Sequence, residues 1–550
     1  MFVHERRSWF EGAQGVTWAG AEAWRTADWP VRVAMLVAAV MFLSLPVFAW
    51  PQDDAPPAAA CGLPDSGCFQ LNAVSLEGLT VYKPGELAAL YQGYLTRDVS
   101  TADLVVIATA ITDRYRADGY FLSRAVVPPQ APGTGVARIR IYEGYISDVA
   151  LTGIGAPAAS PYLKGLSELR PLRLAELERR LSLAGDEPGV QIKTQLEPVL
   201  DDPARHRLVA VASLKPLALS TYVDNRGPKA SGPWQAYGRV AKNSAIRPGD
   251  QLALAVLAVP DDPRAFTYGE VSYSTPLGGG ARLRGTIGMA KARDGANTRS
   301  TDVGSESLSA SVSYLKPLKR DRRVNAWTQT TLQARHIEQD WTDTGGYADN
   351  VVVLRGALNA DMTGPGESSN LFAQASAGQR GQPGVKPGEG LSRADASRQF
   401  VKVNVHGSHY RDLGPWAGLF LTADGQWSPH RLLSSEEFVV GGAPYGRGYN
   451  YAEIGGDQGV AASAELRAGF SPKRGPFSFL QGYGFLDAGK VWNLKRSGGD
   501  ADLVSTGLGV RARVGDRATL TVEAARPLTC TPYDRRKKTW RPFFALSTRF

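Results

Sequence analysis

From Ala218 to the end of the chain, polar and apolar side chains alternate with a period of two. Sixteen stretches there read as strands, at about 218–224, 235–242, 251–259, 265–274, 282–292, 305–315, 325–337, 351–361, 368–376, 400–410, 416–426, 459–470, 477–490, 502–514, 517–526 and 541–550. Successive side chains on a strand point to opposite faces, so this period gives each strand one apolar and one polar face. Val401, Val403 and Val405 share a face opposite Lys402, Asn404 and His406. Leu466, Ala468 and Phe470 likewise oppose Ser463, Glu465 and Arg467, and Phe544, Leu546, Thr548 and Phe550 line one side of the last strand. An even strand count is the rule for single-chain bacterial outer-membrane barrels.

The connections carry the same message. They are short at Thr275–Gly280, Arg411–Pro415, Ser471–Pro476 and near Gly515. They are longer at Asp294–Gly304, Glu338–Asn350, Gly378–Arg398, Trp427–Gln458 and Pro527–Trp540. Short periplasmic turns alternating with long outer loops are characteristic of such barrels. Closure satisfies every backbone polar group inside lipid, which an open sheet cannot do. The expected fold over 217–550 is therefore an all-β, 16-stranded antiparallel transmembrane barrel. A large water-soluble all-β protein is the alternative.

Upstream the pattern becomes mixed. From Phe69 the order reads strand, helix, helix, strand, strand. Asn72–Glu77 is a strand; Thr101 is placed to cap a helix whose Leu104, Ala108, Ile111 and Tyr115 recur at helical spacing, with Gly119 after its last turn. Ser123–Val127 and Ala137–Tyr142 follow as paired strands. A second unit repeats the theme: a strand at Ile146–Thr152, a helix at Leu174–Leu183 ended by Gly185, then strands at Val190–Leu196 and Arg207–Leu214. Two small α+β domains are expected, over 69–145 and 146–216. Their open sheet edges are suited to taking up an extended peptide as an added strand.

Residues 1–49 read as a signal peptide with an extended leader. An apolar run from Val31 to Ala49 ends in Val47-Phe48-Ala49, a small-x-small cleavage site. An uncleaved anchor helix is the competing reading. Residues 50–68 form a Pro-rich linker. Its Ala58-Ala59-Ala60-Cys61 is set too far from the apolar run for a lipoprotein signal. Cys61 and Cys68 lie close enough for a local disulfide in an oxidising compartment, leaving Cys530 unpaired.

Bulk properties add little. Among 550 residues, 43% are hydrophobic, and the net charge of +9 suits a wet channel lined by Arg and Lys as well as it suits an acidic partner. The histidines are scattered, no metal or cofactor site is evident, and no catalytic constellation appears. Gly484-Phe485-Leu486-Asp487-Ala488-Gly489-Lys490 approaches a phosphate-binding loop, but it lacks the terminal Ser/Thr and lies within a strand. Neither an enzyme nor a nucleic-acid partner is expected.

The longest barrel loop holds Gly441-Gly442-Ala443-Pro444-Tyr445-Gly446-Arg447-Gly448-Tyr449, and Phe485-Leu486-Asp487-Ala488-Gly489 follows downstream. The first resembles the V-R-G-[YF] motif in the sixth loop of the outer-membrane-protein-85 superfamily. The second resembles that superfamily's F-x-D-x-G strand motif. Tyr142-Glu143-Gly144-Tyr145-Ile146, Val223-Asp224-Asn225-Arg226-Gly227 and Phe550 are further matches. Two small domains point to the two-partner secretion transporters (TpsB type), the hemolysin-secretion and filamentous-hemagglutinin-transporter family, in which such domains are called POTRA.

That resemblance implies a loop at 427–458 folded into the lumen, with Arg447, Gly448 and Tyr449 meeting Phe485, Asp487 and Gly489 on the wall. It implies Phe550 as a barrel-assembly signal. It also implies a monomer in outer-membrane lipid, inserted by the barrel-assembly machinery, that exports a large β-helical adhesin, cytolysin or toxin. A guanidinium offers a carboxylate a two-pronged partner, which fixes position as well as charge. Gly446 departs from the usual Val and is expected to loosen the loop. Trp50–Cys68 is too Pro-rich to supply the plug helix of some relatives. An insertase for other barrels and a passive porin are the alternative functions.

Overall fold

A computed structural model describes residues 68–130, 135–227, 232–293, 303–341, 345–380, 390–393, 395–494 and 499–550. They divide into two units, one running up to Lys215 and one starting at Pro216. The signal peptide, most of the linker and Cys61 lie outside the described residues.

The first unit holds both small domains. In the first, β1 (Phe69–Gln70) pairs with β3 (Asp98–Val99), and β2 (Ala73–Glu77), β4 (Arg124–Val126) and β5 (Val136–Tyr142) form a sheet in the order β2-β5-β4. Helix α1 (Thr101–Ala117) presents Leu104, Ile107, Ala108, Ile111 and Tyr115 to the core beneath that sheet. Its cap is Ser100, not Thr101. The Ser100 hydroxyl accepts the Asp103 N–H at 3.3 Å, while the Asp103 carboxylate accepts the Ser100 N–H at 2.8 Å. This reciprocal box satisfies two otherwise orphaned donors. Gly119 ends the helix at φ +91°, a conformation that costs glycine little. The helix expected between β2 and α1 is instead three 3₁₀ turns, Pro84–Glu86, Ala88–Leu90 and Gln92–Tyr94. Two glycines and a proline within that stretch deny it a continuous helix.

In the second domain, β6 (Tyr145–Thr152), β7 (Val190–Pro198) and β8 (Arg205–Leu214) pair in the order β6-β8-β7. Against them lie α3 (Leu174–Gly185) and a helix the sequence pattern did not reveal, α2 (Ala156–Leu163). Pro157 and Pro161 conceal α2. Pro157 sits in the first turn, where no N–H is needed, and burial of Ala158, Ala159, Tyr162 and Leu163 outweighs the bond lost at Pro161.

The second unit is a closed barrel. Its strands are β9 (Leu217–Asp224), β10 (Gln235–Asn243), β11 (Gln251–Ala258), β12 (Phe266–Gly278), β13 (Ala281–Arg293), β14 (Val303–Arg320), β15 (Val324–Trp341), β16 (Gly345–Gly364), β17 (Glu367–Arg380), β18 (Phe400–Asp412) and β19 (Ala417–Trp427). After a short loop hairpin of β20 (Phe438–Val440) and β21 (Ile454–Gly456) come β22 (Gln458–Phe470), β23 (Phe477–Trp492), β24 (Ala501–Val514), β25 (Ala518–Pro527) and β26 (Arg541–Arg549). All sixteen wall strands pair antiparallel with their neighbours, and β26 closes on β9. Each coincides with an expected strand, although several run further: β14 to Arg320, β15 to Trp341 and β16 back to Gly345. The loop between β15 and β16, and the turn between β14 and β15 at the opposite end of the barrel, are correspondingly shorter. The β12–β13 turn shrinks to Gly279-Gly280, with φ of +60° and +84°, as a two-residue hairpin of this hand requires.

The faces are inverted relative to a soluble domain. Leu466, Phe470, Leu508, Phe544 and Leu546 are exposed on the outer wall, whereas Lys402, His406, Ser463 and Glu465 are buried inside. The closing seam is short. Five register pairs, from Asp224↔Ala545 to Ser220↔Arg549, join β9 to β26, against eighteen between β15 and β16.

Candidate functional site

The loop between Trp427 and Gln458 packs against wall strands β22, β23 and β24, which leave room for it at two glycines. A Cβ on Gly489 would stand 2.6 Å from Val440 Cγ1 of β20, and one on Gly459 would stand 2.1 Å from the Phe438 ring. Both wall positions must be glycine for the β20–β21 hairpin to lie against them. Val440, Tyr445 and Tyr449 pack with Ala461, Val491 and Leu503 of the wall in one buried cluster.

At the tip of the loop Arg447 is only 4% exposed and Asp487 is fully buried. The Arg447 Nε and Nη2 donate to the two Asp487 oxygens at 3.0 and 2.7 Å. Its own backbone N–H donates to Asp487 Oδ2 at 3.0 Å, and Ser463 and Ser505 hydroxyls donate to the same carboxylate at 2.8 and 3.2 Å. Arg447 Nη1 donates to Glu465 Oε1 at 2.6 Å and lies 3.6 Å from Glu523 Oε2. The guanidinium also sits 3.4 Å above the Phe485 ring. Each of the three guanidinium nitrogens thus donates to at least one acceptor, the condition under which a buried charge is tolerated. Glu465 and Glu523 are shared outward, with Arg467 and Arg511 at 2.6 and 3.1 Å from Glu465, and Arg226 at 2.6 Å from Glu523.

The other motif residues have local reasons. Gly448 passes so close to β25 that a Cβ would meet Pro527 N at 2.6 Å. Tyr449 is buried, and its hydroxyl donates to the Val504 carbonyl at 3.1 Å. Gly446 does not loosen the loop. It holds φ +94°, donates to Asp487 at 3.3 Å and leaves only 2.7 Å between a would-be Cβ and Leu503 Cδ1. A valine there would be strained in this backbone conformation.

Two further anchors escaped sequence reasoning. Glu436, in the 3₁₀ turn Ser434–Glu436, is 2% exposed. Arg355 Nη2 lies 2.7 Å and Lys402 Nζ 2.9 Å from its carboxylate, with Arg335 Nη1 at 3.8 Å. At the loop base the buried Asp457 accepts from Arg393 at 2.6 Å and from the backbone of Leu432 and Leu494 at 2.8 and 2.9 Å. These partners are tens of residues apart and belong to no short motif. The only available signal was an acid in a loop opposite basic inward positions such as Lys402.

The remaining matched segments also build structure. Glu143 of Tyr142-Glu143-Gly144 accepts the Thr80 and Val81 N–H groups at 2.8 and 2.9 Å and the Tyr115 hydroxyl at 2.7 Å. Burial alone would raise this carboxyl, but those hydrogen bonds outweigh it and hold it below its ordinary value of 4.5. Gly144 has Leu122 backbone 2.5 Å from a would-be Cβ, and its carbonyl accepts the Leu172 N–H of the second domain at 3.0 Å. At the start of the barrel, the Asn225 carboxamide stands in for a peptide group of the seam. It accepts the Phe544 N–H at 2.8 Å and donates to the Pro542 carbonyl at 3.3 Å. The Phe550 backbone exchanges hydrogen bonds with Leu219 at 2.8 and 3.1 Å. Cys68 is disulfide-bonded, and Cys530 carries a free thiol. Among the described residues no cluster of His, Cys, Asp and Glu is placed to hold a metal.

Comparison with known proteins places these features. Residues 69–144 match the ShlB-type POTRA domain, and residues 355–512, which contain both halves of the Arg447 clamp, match the haemolysin secretion/activation protein ShlB/FhaC/HecB. The chain is similar to the heme/hemopexin transporter protein HuxB of Haemophilus influenzae (strain 86-028NP), 22% identical over 466 residues, 80% of each chain. It is also similar to the outer membrane transporter CdiB of Escherichia coli, 24% identical over 420 residues, 72% of this chain and 69% of that one. The solved structure of CdiB from Escherichia coli shares the fold, with a TM-score of 0.72 at 18% identity, covering 94% of this chain and 98% of the other.

Proposed function

Because the chain belongs to the TpsB family of haemolysin secretion/activation transporters, we propose that it exports one partner protein through its barrel, and that the Arg447 clamp holds the sixth loop across the path at rest. The barrel resides in the bacterial outer membrane and the POTRA domains in the periplasm. The observation that carries the gating role is the burial of Arg447 against Asp487, Glu465 and Ser463 inside the barrel. A loop secured by so many directed bonds has a defined closed position, which a passive porin would not need.

The partner arrives unfolded. The open edges of the β2-β5-β4 and β6-β8-β7 sheets pair with its extended backbone, so that alternate side chains of the partner face the same side of each sheet. No nucleotide drives transport; folding of the partner outside the cell makes passage one-way. We take the partner to be a large β-helical adhesin, cytolysin or toxin. The transporter acts as a monomer, without cofactor or catalytic chemistry, and the barrel-assembly machinery inserts it.

Deletion of the gene should remove one surface protein while bulk outer-membrane proteins keep their levels. A general fall in those levels would favour an insertase instead. Arg447→Ala and Asp487→Ala should each lower secretion while the barrel still reaches the membrane and shows heat-modifiable mobility. Normal secretion by both variants removes the gating role.

A further inference from the structure

The Glu436 anchor differs in kind from the Arg447 clamp. At Arg447 the wall supplies acid and the loop supplies the cation; at Glu436 the wall is basic. Its side chains come from four wall strands: Arg335 on β15, Arg355 on β16, Lys402 on β18 and Gln426 on β19. They grip more than a carboxylate. Lys402 Nζ and Gln426 Nε2 donate to the Glu436 backbone carbonyl at 2.9 and 3.0 Å, and Arg335 Nη1 donates to the Ser435 carbonyl at 3.4 Å. The cradle therefore recognises a glutamate together with its main chain, which is the chemistry of an acidic peptide and not of a free anion.

The wall is itself braced to keep this shape. Arg355 also donates to Ser376 Oγ at 3.1 Å and Gln333 Oε1 at 3.3 Å, so its fork is oriented by the strands and not by the loop alone. When the loop leaves, three like charges remain on the lumen wall without their carboxylate, and their mutual repulsion opposes its release.

We propose that Arg335, Arg355, Lys402 and Gln426 form a binding site for acidic segments of a polypeptide in transit, and that Glu436 is its resident self-ligand in the closed state. The proposal rests on the lumen being the transport path. A carboxylate arriving on an extended chain displaces Glu436, reproduces its side-chain and main-chain bonds, and so both opens the loop and compensates the wall. Acidic residues in the passing chain would then lower the cost of loop release.

The test uses the full chain reconstituted in a planar bilayer, with synthetic oligoglutamate as probe and oligoglutamine as control. Glu436→Gln vacates the carboxylate position, so oligoglutamate should block its current at about tenfold lower concentration than it blocks the native channel, the worth of one charge-assisted bond. Glu436→Asp should fall between the two, and it serves if Glu436→Gln proves poorly folded by heat-modifiable mobility. Adding Arg355→Gln to either variant should abolish the gain. Equal block of native and variant channels, equal block by oligoglutamine, or a gain that survives Arg355→Gln overturns the proposal. Because no exported partner is present, this assay can fail while secretion remains intact, and the deletion experiment can fail while the peptide still blocks.

Discussion

The POTRA unit and the barrel obey opposite rules with the same residues. In the POTRA unit Ile107 is fully buried and most charged groups face water, with Asp103 and Glu187 as buried exceptions. In the barrel Leu508 is 60% exposed on the outer wall while Asp487 has no accessible surface. The chemistry of leucine and aspartate has not changed; the solvent has. Water outside drives apolar groups inward in the POTRA unit, whereas lipid outside accepts them and leaves a polar interior where charges are paired. The POTRA unit is therefore held together by packing, whereas the inward-folded loop of the barrel is held by an electrostatic network.

Four experiments sharpen or break this contrast. Asp487→Ala leaves the Arg447 guanidinium buried without its main partner and should weaken seating of the loop by about 3–5 kcal/mol. Faster protease cleavage between Trp427 and Gln458 in intact membranes reads it, and unchanged cleavage would mean that the other contacts suffice. Ile107→Ala opens a cavity in the POTRA core and should cost that unit about 2–5 kcal/mol, read by proteolysis of the intact chain in urea, with the barrel unaffected. Leu508→Arg places a charge on the lipid face near mid-strand and should cost the barrel about 2–4 kcal/mol, read by its unfolding from bilayers. An arginine tolerated there would contradict a lipid-facing Leu508.

The smallest effect concerns pH. Glu143 titrates below its ordinary value of 4.5, so its contribution is present at neutral pH and is lost as pH falls below that value through the folded one. Glu143→Gln should flatten the acid dependence of POTRA stability without touching the barrel.

Strand positions were legible because lipid on one side and lumen on the other impose a two-residue period on every strand. Strand ends were less so: β14, β15 and β16 extend beyond the membrane-facing stretch, where that period loses its cause. The Arg447–Asp487 pair could be foreseen from two motifs. Glu436 and Asp457 could not, since their partners, Arg355 on β16 and Arg393 in the connection between β17 and β18, are brought to them by the tertiary fold and not by any local spacing. Helix α2 was hidden by prolines that its buried face overrides, and the role of Gly446 by a backbone angle that composition does not reveal.

The brevity of the closing seam has a consequence for biogenesis. Thr221 and Thr548, whose hydroxyls meet across it at 2.7 Å, are 327 positions apart in sequence. Neighbouring hairpins can zip early, but this contact must wait until every other wall strand is in place, since loop-closure entropy makes distant pairings late. Until then two strand edges stand open, each a template for mispairing with another chain. A few ladder bonds, the Asn225 carboxamide and the Phe550 backbone are what finally turn a vulnerable ribbon into a ring.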